Sequence, residues 1–388
     1  MKSQRLTEIL NNEEIRRSEF PVVKNKIFFA HAAVAPLPRS AAQAVQDYAW
    51  EATLDFQECG DFFKNLQLTR QLAADLIQAR PQDIALIGPT ALGLNLVALG
   101  ISWESGDEVV YYPGDYPSNV YPWSNLETKG VRPVPLKPEQ TGVITPELVF
   151  SHLTTKTKLV ALSSCHYLTG YRLDYEAIGT ELKKRGILFC LDSIQSLGAS
   201  AIDVRYIDFL SADSHKWLLG PIGAGIFYVN PELYDRFHPT LLGSFNVNSP
   251  GFVAQDEIHF HSTAQRFEVG TLNGLGIIGM KASLEVIQSI GVDSIYPRLI
   301  QLHTYLREKL RSSGWNVLSE AFPENSLTGI VTTTKAETDL NQIYRQLSEA
   351  GVVASLRWDK SKKPLLRFSP HFYNTFEEID RALEVLVK

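Results

Sequence analysis

A lysine and an aspartate stand out in the sequence, because each lies where an apolar segment meets a polar turn. Lys216 directly follows His215 and precedes a tryptophan, two leucines and a turn rich in glycine and proline. Asp192 ends an apolar run, and Gln195 follows three residues later. A lysine next to so many apolar residues is unlike a solvated surface charge. We therefore expect a buried strand that delivers a carboxylate and a turn that delivers an amine to one pocket.

This pair of groups predicts a site for pyridoxal phosphate. The amine can form a Schiff base with that cofactor, and a carboxylate facing the pyridine nitrogen keeps the ring able to accept electrons. Tyr116, just past a predicted strand end, could stack on the ring. Thr90 and the backbone N–H of Ala91, at a predicted helix start, could hold the phosphate. Gln195 could hydrogen-bond the 3-hydroxyl oxygen of the ring, and His215 could reach the phosphate.

Several of these positions also have a purely structural interpretation. The segment at Thr90 could be an ordinary threonine-capped helix, and Tyr116 could be a surface-loop residue. His31 lies in a loop of small residues and prolines, which is either a tight packing turn or a segment beside a ligand. His166, at the end of another predicted strand, is either a site residue or a buried structural histidine. Cys165 is expected to be a small buried side chain.

The pattern of strands and helices predicts an α/β fold. Between residues 84 and 229 the two types alternate, which is typical of a largely parallel sheet with helices on both faces. The chain has 388 residues, too many for one compact core. We expect a lead-in helix at 1–25, a large cofactor domain at 26–273, and a linker helix with a small C-terminal domain at 274–388.

Some local expectations are more detailed. Ser40 is predicted to cap a helix that runs to about residue 54. The sequence up to residue 261 is strand-like after the loop at 243–251, and residues 352–357 are predicted to form one strand. Near the C-terminus, Thr375 lies three residues before Glu378, the spacing of a capping box.

Composition excludes several classes of protein. The chain is 44% hydrophobic and 21% charged with a net charge of −6, which favours a globular protein and argues against nucleic acid or an anionic membrane as partner. Three cysteines without C-x-x-C spacing argue against a disulfide framework and against a metal site. The first residues lack the apolar core of a signal peptide, and no run approaches the roughly 20 apolar residues of a membrane span. We expect a cytoplasmic protein.

Four stretches together resemble the class V aminotransferase superfamily. They are Asp192-Ser-Ile-Gln195, the segment 211–225 around Lys216, Arg266-Phe-Glu-Val-Gly-Thr271 and Arg367-Phe-Ser-Pro-His-Phe-Tyr-Asn-Thr375. The resemblance extends from about residue 26 to the C-terminus. This group includes cysteine desulfurases, selenocysteine lyases and isopenicillin-epimerase-like enzymes. It implies a fold-type-I enzyme dependent on pyridoxal phosphate, with a large, mainly parallel sheet domain, a small C-terminal α/β domain and a homodimer with shared active sites.

The resemblance also implies roles for individual residues in binding the cofactor. Lys216 is similar to the Schiff-base lysine, Asp192 to the partner of the pyridine nitrogen, and Gln195 to the partner of the 3-oxygen. The implied phosphate contacts are Thr90, Ala91, His215 and, from the partner subunit, Thr271.

Two arginines match positions of the superfamily that face the substrate. Arg367 matches the residue that grips the substrate carboxylate, and Arg357 matches a second arginine near the pocket mouth. A guanidinium suits this task because its fork pairs with two oxygens at once. Either arginine could instead belong to a surface ion pair. His31 is a further candidate for a substrate contact, and His166 for a cofactor or substrate contact.

Two departures from the superfamily concern the reaction. Desulfurases usually stack a histidine on the ring, whereas here Asp115-Tyr116 occupies that position. Desulfurases also carry a nucleophilic cysteine on a loop of the small domain, whereas this chain has no cysteine after Cys190. We therefore expect amino-group transfer on a small amino acid or amine. The alternatives are a C–S lyase without a persulfide cysteine, an amino-acid epimerase and, least expected, a non-catalytic protein that binds pyridoxal phosphate.

Overall fold

The computed structural model describes residues 2–387. In this range the α-helices are α1 (Lys2–Asn11), α2 (Glu13–Glu19), α3 (Arg39–Glu51), α4 (Phe62–Ile77), α5 (Thr90–Gly100), α6 (Tyr121–Ser124), α7 (Pro146–Phe150), α8 (Tyr175–Lys184), α9 (Gly274–Ile290), α10 (Val292–Ser312), α11 (Leu340–Glu349) and α12 (Phe376–Val387). The strands are β1 (Ile27–Phe28), β2 (Ile84–Ile87), β3 (Glu108–Tyr111), β4 (Arg132–Pro135), β5 (Thr157–Ser163), β6 (Leu188–Asp192), β7 (Phe209–Asp213), β8 (Gly225–Val229), β9 (Asn316–Val317), β10 (Val331–Thr334), β11 (Val352–Val353), β12 (Ser355–Trp358) and β13 (Pro364–Phe368).

A seven-stranded sheet confirms the predicted α/β fold. Its strand order is β2-β8-β7-β6-β5-β3-β4, and the strands from β7 to β4 are parallel. Strand β8 runs antiparallel to both β7 and β2. The connection from β7 to β8 is the Lys216 turn and contains no α-helix, so the chain reverses direction without a crossover. The parallel strands therefore end beside the turn that carries the lysine.

Both faces of this sheet are buried. Along neighbouring strands, Val110 and Val160 belong to one hydrophobic core, while Val109 and Leu159 belong to the core on the opposite face. Helix α5 covers the second face, and α4, α8 and α9 contribute to the core on the first. Parallel strands covered on both faces are rich in β-branched and apolar residues, as these are.

A second, antiparallel sheet has the order β12-β13-β10-β9. The prediction of one strand over residues 352–357 was wrong, because the chain is irregular at Ala354. Strand β11 pairs with β1 near the N-terminus, while β12 pairs with β13. Residues of one apolar run thus pair with two different strands. The predicted domain boundaries stay a prediction.

Two other local expectations were wrong. Helix α3 begins at Arg39 after Pro38, and the Ser40 hydroxyl donates to Glu19 at 2.6 Å instead of capping the helix. Proline at this position presets an extended residue before the first turn, so no side-chain cap is needed there. The strand-like region before residue 261 forms only an isolated bridge between Val247 and Phe260. Gly251 adopts a φ of 64°, which interrupts an extended chain.

The predicted capping box at the last helix is confirmed. The Glu378 N–H donates to Thr375 Oγ1, and the Thr375 N–H donates to Glu378 Oε2, both at 3.2 Å. Arg16 in α2 donates to the same glutamate at 2.8 Å. The N-terminal helices are thereby joined to the C-terminal helix through a buried ion pair.

No single helix in residues 2–387 is long and apolar enough to cross a membrane. Helices α9 and α10 meet the criterion of length and composition only when taken together, and they are bent by 80° where they meet. Many side chains of α9 contribute to the core described above, among them Ile277, Met280 and Leu284.

A buried ion pair fixes the edge of the large sheet. Arg70 in α4 donates to both carboxylate oxygens of Glu268, at 2.8 and 2.7 Å. The same carboxylate accepts the N–H of Leu86 in β2. Both charged side chains are less than one-tenth exposed, and burial raises the pKa of Glu268. Removing the arginine would leave a buried carboxylate without its cation.

We predict that Arg70→Ala lowers the free energy of unfolding by about 3–5 kcal/mol, the usual cost of breaking a buried pair. Arg80→Ala is the matched control, because Arg80 is 59% exposed in its pair with Asp83. That control should change stability by less than about 1 kcal/mol. Chemical denaturation followed by circular dichroism measures both. Equal changes in the free energy of unfolding for the two substitutions would show that the buried pair with Glu268 stabilises the fold no more than an exposed pair does.

Candidate active site

A cavity of about 340 Å³ lies where strands of the large sheet end, beside the first turn of α5. This is the edge at which open α/β sheets bind ligands. The structure brings nine of the predicted site residues together around it: Thr90, Ala91, Tyr116, Asp192, Gln195, His215, Lys216, Arg357 and Arg367. A larger hollow of about 900 Å³ adjoins it at Ala91 and Ser118. The titratable groups predicted to act together lie in the smaller cavity.

The Lys216 turn is held tightly in its conformation. The N–H of Gly220 donates to the Ser214 carbonyl at 2.8 Å, and the N–H of Leu219 donates to the Lys216 carbonyl at 3.1 Å. A side chain at position 220 would meet the Ser214 hydroxyl at 2.4 Å, so this position requires glycine. The His215 carbonyl also accepts the N–H of Ala35 at 2.8 Å. The glycine-rich sequence after the lysine thus serves close packing of the backbone.

The lysine side chain is almost removed from water. Lys216 is 7% exposed, and its Nζ lies 5.4 Å from the centre of the Tyr116 ring. Burial lowers its pKa to about 8, an effect that Asp192 opposes and that Arg367 and Arg357 reinforce. The uncharged fraction of this amine near neutral pH is therefore much larger than that of an ordinary lysine, and the uncharged amine can act as a nucleophile or base.

Asp192 lines the same cavity. It is the last residue of β6, and its Oδ1 accepts the N–H of Ile194 at 3.0 Å. Burial raises the pKa of Asp192 to about 7, and the nearby charge of Asp115 adds to the shift. A buried carboxyl that exchanges a proton near neutral pH is suited to sharing one with a ring nitrogen.

The first turn of α5 forms a cradle for an anion. Thr90 is the first helical residue, and its Oγ1 accepts the N–H of Asp213 at 2.9 Å, so its hydroxyl hydrogen remains available to a ligand. The Ser211 hydroxyl donates to the Thr90 carbonyl at 3.0 Å. A side chain in place of Gly93 would meet Ser211 at 2.4 Å. Strand β7 therefore fixes the helix N-terminus, where N–H groups without helical partners favour a phosphate.

His215 lies at the same end of the cavity. Its Nδ1 lies 2.9 Å from Asp213 Oδ1, a distance typical of an ion pair, but the geometry is not that of a hydrogen bond. The other ring nitrogen makes no hydrogen bond that would compete with a ligand among the described contacts. This arrangement fits the predicted contact of His215 with the phosphate.

Arg367 has the features of a binding site for an anion. Its side chain is 1% exposed, and its Nη1 donates to the Tyr167 carbonyl. Its Nε and Nη2 have no hydrogen-bond partner among the described residues. Burial, and then the charge of Arg357, lower the pKa of Arg367 to about 9. Buried guanidinium groups are normally paired, so a carboxylate is the expected ligand here.

Arg357 faces the same cavity from the neighbouring strand. In the β12–β13 pair Arg357 is opposite Leu365 and Arg367 is opposite Ser355, so both arginines project from one face of the sheet. Arg357 is half-buried and donates to the carbonyl of Leu356 at 3.2 Å. No carboxylate of the described residues forms an ion pair with either arginine.

Gln195 is placed by a hydrogen bond on each side of its amide. Its Nε2 donates to the Ala32 carbonyl at 3.0 Å, and its Oε1 accepts the indole N–H of Trp217 at 2.9 Å. The amide group retains one hydrogen that can bind a ligand oxygen. The predicted contact with the 3-oxygen is compatible with this position and stays a prediction.

Three predicted site residues do not line the cavity. His31 is fully buried, with Nδ1 2.8 Å from the Ser369 carbonyl and Nε2 2.6 Å from the Tyr373 hydroxyl. Burial lowers its pKa well below the ordinary value, so its position favours the packing interpretation. His166 lies in an adjoining recess with Asp115, its Nε2 3.2 Å from the Gly114 carbonyl. Thr271 is exposed in the loop before α9.

Tyr167 is a cavity residue that sequence reasoning missed. Its carbonyl holds Arg367, and its ring meets the Tyr116 ring edge-on with centres 5.5 Å apart. Burial raises its pKa. Its position directly after His166 at a strand end was a signal that could have identified it. Residues 32–34 also line the cavity, as the small residues after His31 suggest.

Comparison with known proteins shows the family. Residues 27–382 match the family model described as aminotransferase class-V, and the chain belongs to this family. It is 27% identical to a probable cysteine desulfurase of Methanothermobacter thermautotrophicus, over 97% of this chain and 98% of that protein. It is 30% identical to a probable cysteine desulfurase of Pyrococcus abyssi, over 96% of each.

A solved structure supports the same assignment. The apo structure of a cysteine desulfurase from Thermococcus onnurineus superimposes with a TM-score of 0.88 at 25% identity, covering 96% of this chain and 97% of that one. Enzymes of the class-V family use pyridoxal phosphate, which is the cofactor predicted from the sequence. The buried amine, the raised carboxyl pKa and the helix-terminal cradle fit this cofactor.

The pKa of Lys216 leads to a prediction about cofactor attachment. The uncharged amine is the nucleophile, so its rate of reaction with pyridoxal phosphate should rise with pH and level off above about 8. Stopped-flow absorbance of the apoprotein mixed with the cofactor measures this rate. Lys216→Ala should give no lysine-linked band at any pH, whereas Lys184→Ala, at an exposed position, should behave as the unaltered chain. A rate that still rises steeply near pH 10 would contradict the shifted pKa.

Proposed function

We propose that this chain is an aminotransferase dependent on pyridoxal phosphate that acts on a small amino acid. The observation that carries the proposal is the buried Arg367, whose Nε and Nη2 are unpaired in the cavity that also contains Lys216. A guanidinium with two free donors suits the α-carboxylate of an amino acid. Because Arg367 and Lys216 line one cavity, a substrate held by its carboxylate would present its α-carbon near the amine.

The residues of the chain divide the work between them. When bound, pyridoxal phosphate supplies a ring that accepts electrons and so makes the α-hydrogen of a substrate acidic. Lys216, with a pKa near 8, takes that proton and returns it. Asp192 would hold a proton at the ring nitrogen, and Arg367 would orient the substrate carboxylate. Tyr116 would stack on the ring, and the first turn of α5 would hold the phosphate.

The loop between β12 and β13 disfavours a desulfurase mechanism that stores sulfur on a cysteine. Residues 359–363 form a tight turn, closed by the N–H of Asp359 donating to the Lys363 carbonyl at 3.1 Å. Lys362 adopts a φ of 62° in this turn. The turn contains no thiol and is too short to carry one far into the cavity.

The cysteines elsewhere do not replace that thiol. Cys165 and Cys190 are buried, and burial raises the pKa of Cys165 to about 12 and that of Cys190 well above its ordinary value. Cys59 lies before α4 and does not line the cavity. Thiols that remain protonated are poor nucleophiles, so a persulfide-forming step has no suitable group here.

A C–S lyase that releases its sulfur without a persulfide cysteine is the second candidate. The observation in its favour is that the two relatives compared above are both named as probable cysteine desulfurases. Such a lyase would use the same Lys216, Asp192 and Arg367. It would differ by expelling a thiol or persulfide from the β-carbon of the substrate.

We also propose a homodimer with shared active sites. Thr271 is exposed outside the cavity of its own chain, as a contact to a partner subunit's cofactor would require. Apolar side chains are more than half exposed along the preceding segment: Leu242, Phe252, Val253 and Ile258. An exposed apolar surface of this kind commonly marks a contact between proteins.

An exchange assay tests the reaction type. We predict that the holoenzyme, given a panel of amino acids and a keto acid acceptor, forms a new amino acid and a new keto acid in equal amounts. Product formation should stop when the acceptor is omitted. Release of pyruvate and sulfide from cysteine without an acceptor would establish the lyase instead, and inversion of an amino acid without exchange would establish an epimerase.

A variant without cysteines sharpens the same assay. Cys59→Ser, Cys165→Ala and Cys190→Ala, combined, remove every thiol of the chain. The exchange rate per bound cofactor should stay within about threefold of the unaltered chain, because no step depends on a thiolate. Its loss with intact cofactor binding would show that a cysteine takes part in the reaction.

Arg367→Lys tests the carboxylate contact. Lysine keeps the charge but loses the fork, so the KM for amino acids should rise about 100-fold, with a smaller change in kcat. Activity toward a simple amine that lacks the carboxylate should be unaffected and serves as the control, together with the cofactor content of the variant. An unchanged KM for amino acids would place the substrate carboxylate elsewhere.

A further inference from the structure

A second buried carboxylate lies close to the cofactor cavity. Asp115, which precedes Tyr116, is 8% exposed. Its Oδ1 accepts the N–H of Tyr116 at 2.7 Å, and its Oδ2 accepts the Ser163 hydroxyl and, at 3.2 Å, the amide N–H of Asn119. Three donors therefore hold this one carboxylate in place. No lysine or arginine within residues 2–387 forms an ion pair with it.

The position of Asp115 is set by a chain of hydrogen bonds. Asn119 also donates to the Ser163 oxygen at 3.1 Å, and the Asn119 oxygen accepts the indole N–H of the buried Trp123 at 2.9 Å. Each donor is therefore itself oriented by a neighbour. The carboxylate cannot rotate away from Ser163 without leaving a buried hydroxyl and a buried amide unpaired.

The same chain leads to Asp192. Ser163, the last residue of β5, is the register partner of Asp192, the last residue of β6. Asp115 thus lies one hydrogen bond from the strand position that neighbours Asp192. The pKa of Asp192 is raised by burial and next by the charge of Asp115. The recess that contains Asp115 and Ser163 therefore lies directly beside Asp192, which lines the cavity.

The titratable groups that face Asp115 are a histidine and two tyrosines, and none of them forms an ion pair with it. His166 is fully buried, and burial lowers its pKa although Asp115 opposes that shift. Burial raises the pKa of Tyr112 and of Tyr167, and Asp115 adds to both shifts. The cations that line the neighbouring cavity are Lys216, Arg357 and Arg367.

We propose that Asp115 is a second carboxylate that acts on the ring nitrogen of the cofactor through Asp192. Ser163 and Asn119 hold Asp115 beside the strand position of Asp192. Asp115 is a positioning residue in this arrangement, because Asp192 is the group that would touch the ring. Its negative charge favours a proton on the ring nitrogen and thereby tightens binding of pyridoxal phosphate. The inference rests on the cofactor and does not depend on whether the reaction is transamination or elimination.

Binding to the apoprotein separates this electrostatic role from a structural one. The two probes are pyridoxal phosphate and its 1-deaza analogue, in which a carbon replaces the ring nitrogen. Asp115→Asn keeps an acceptor for the Tyr116 N–H but removes the charge. We expect this variant to bind pyridoxal phosphate about tenfold more weakly and the deaza analogue with unchanged affinity, because only the former has a nitrogen to protonate.

Ser163→Ala is the matched control, since it removes one hydrogen bond of the carboxylate and keeps its charge. It should leave the ratio of the two affinities as it is in the unaltered chain. Equal weakening of both probes by Asp115→Asn would show that the residue only positions the Tyr116 loop and would overturn the proposal. Unchanged affinity for both probes would also overturn it. If the asparagine variant does not fold, Asp115→Ser, which has a smaller neutral side chain, replaces it. We expect the serine variant to lose affinity for pyridoxal phosphate and to keep its affinity for the deaza analogue.

Discussion

The arrangement of the site follows from one constraint, the burial of the Lys216 amine. An ammonium group is costly to remove from water, and the fold meets this cost by letting the pKa fall to about 8. The residues on each side of the lysine are anchored to the rest of the protein. The His215 carbonyl accepts from Ala35, while the Trp217 indole donates to Gln195. The lysine is thereby both chemically activated and spatially fixed.

This anchoring also connects the lysine to the proposed site of the substrate carboxylate. His371 Nε2 lies 3.1 Å from the Trp217 carbonyl, and His371 follows closely after Arg367 in the segment that leaves β13. His371 is buried, and burial lowers its pKa to about 4, so the contact is made by a neutral ring at physiological pH. The segment that carries the amine and the segment that carries the guanidinium are therefore joined by a direct hydrogen bond.

The charges of the cavity are balanced only when anions are bound. Lys216, Arg357 and Arg367 line it together with Asp192, and the two arginines lower the pKa of the lysine by repulsion. A phosphate at α5 and a carboxylate at Arg367 would relieve that repulsion. Asp192 and Asp115 are acidic instead, and they favour a positive charge at the ring nitrogen. Each end of the cavity is thus matched in sign to the part of the cofactor or substrate proposed to lie there.

Much of the large sheet and of the site around Lys216 could be predicted from the sequence, because the local signals for strands and turns fall next to the chemically active residues. The alternation of apolar runs with helical segments indicates the parallel sheet, and the turn after Lys216 places the amine at its edge. The break at Ala354 could not be predicted, since it depends on β11 and β12 having different partners. His31 looked like a ligand contact because its neighbours are small. Its buried contacts with Ser369 and Tyr373 come from residues more than 300 positions away.

Tyr167 and Asp115 were overlooked as site residues for a related reason. A tyrosine or an aspartate in a loop after a strand is common, and only the fold shows which of them faces a cavity or a buried carboxyl group. The register of Ser163 with Asp192 is a tertiary fact that brings Asp115 close to the cofactor site.

The most direct test of the site is to identify the residue that carries the cofactor. The chain is reconstituted with pyridoxal phosphate, reduced with borohydride to make the lysine linkage permanent, digested and analysed by mass spectrometry. The modified residue should be Lys216 alone, at one cofactor per chain. A label on another lysine, or no label in a folded protein saturated with the cofactor, would contradict the assignment of Lys216 and with it the proposed active site.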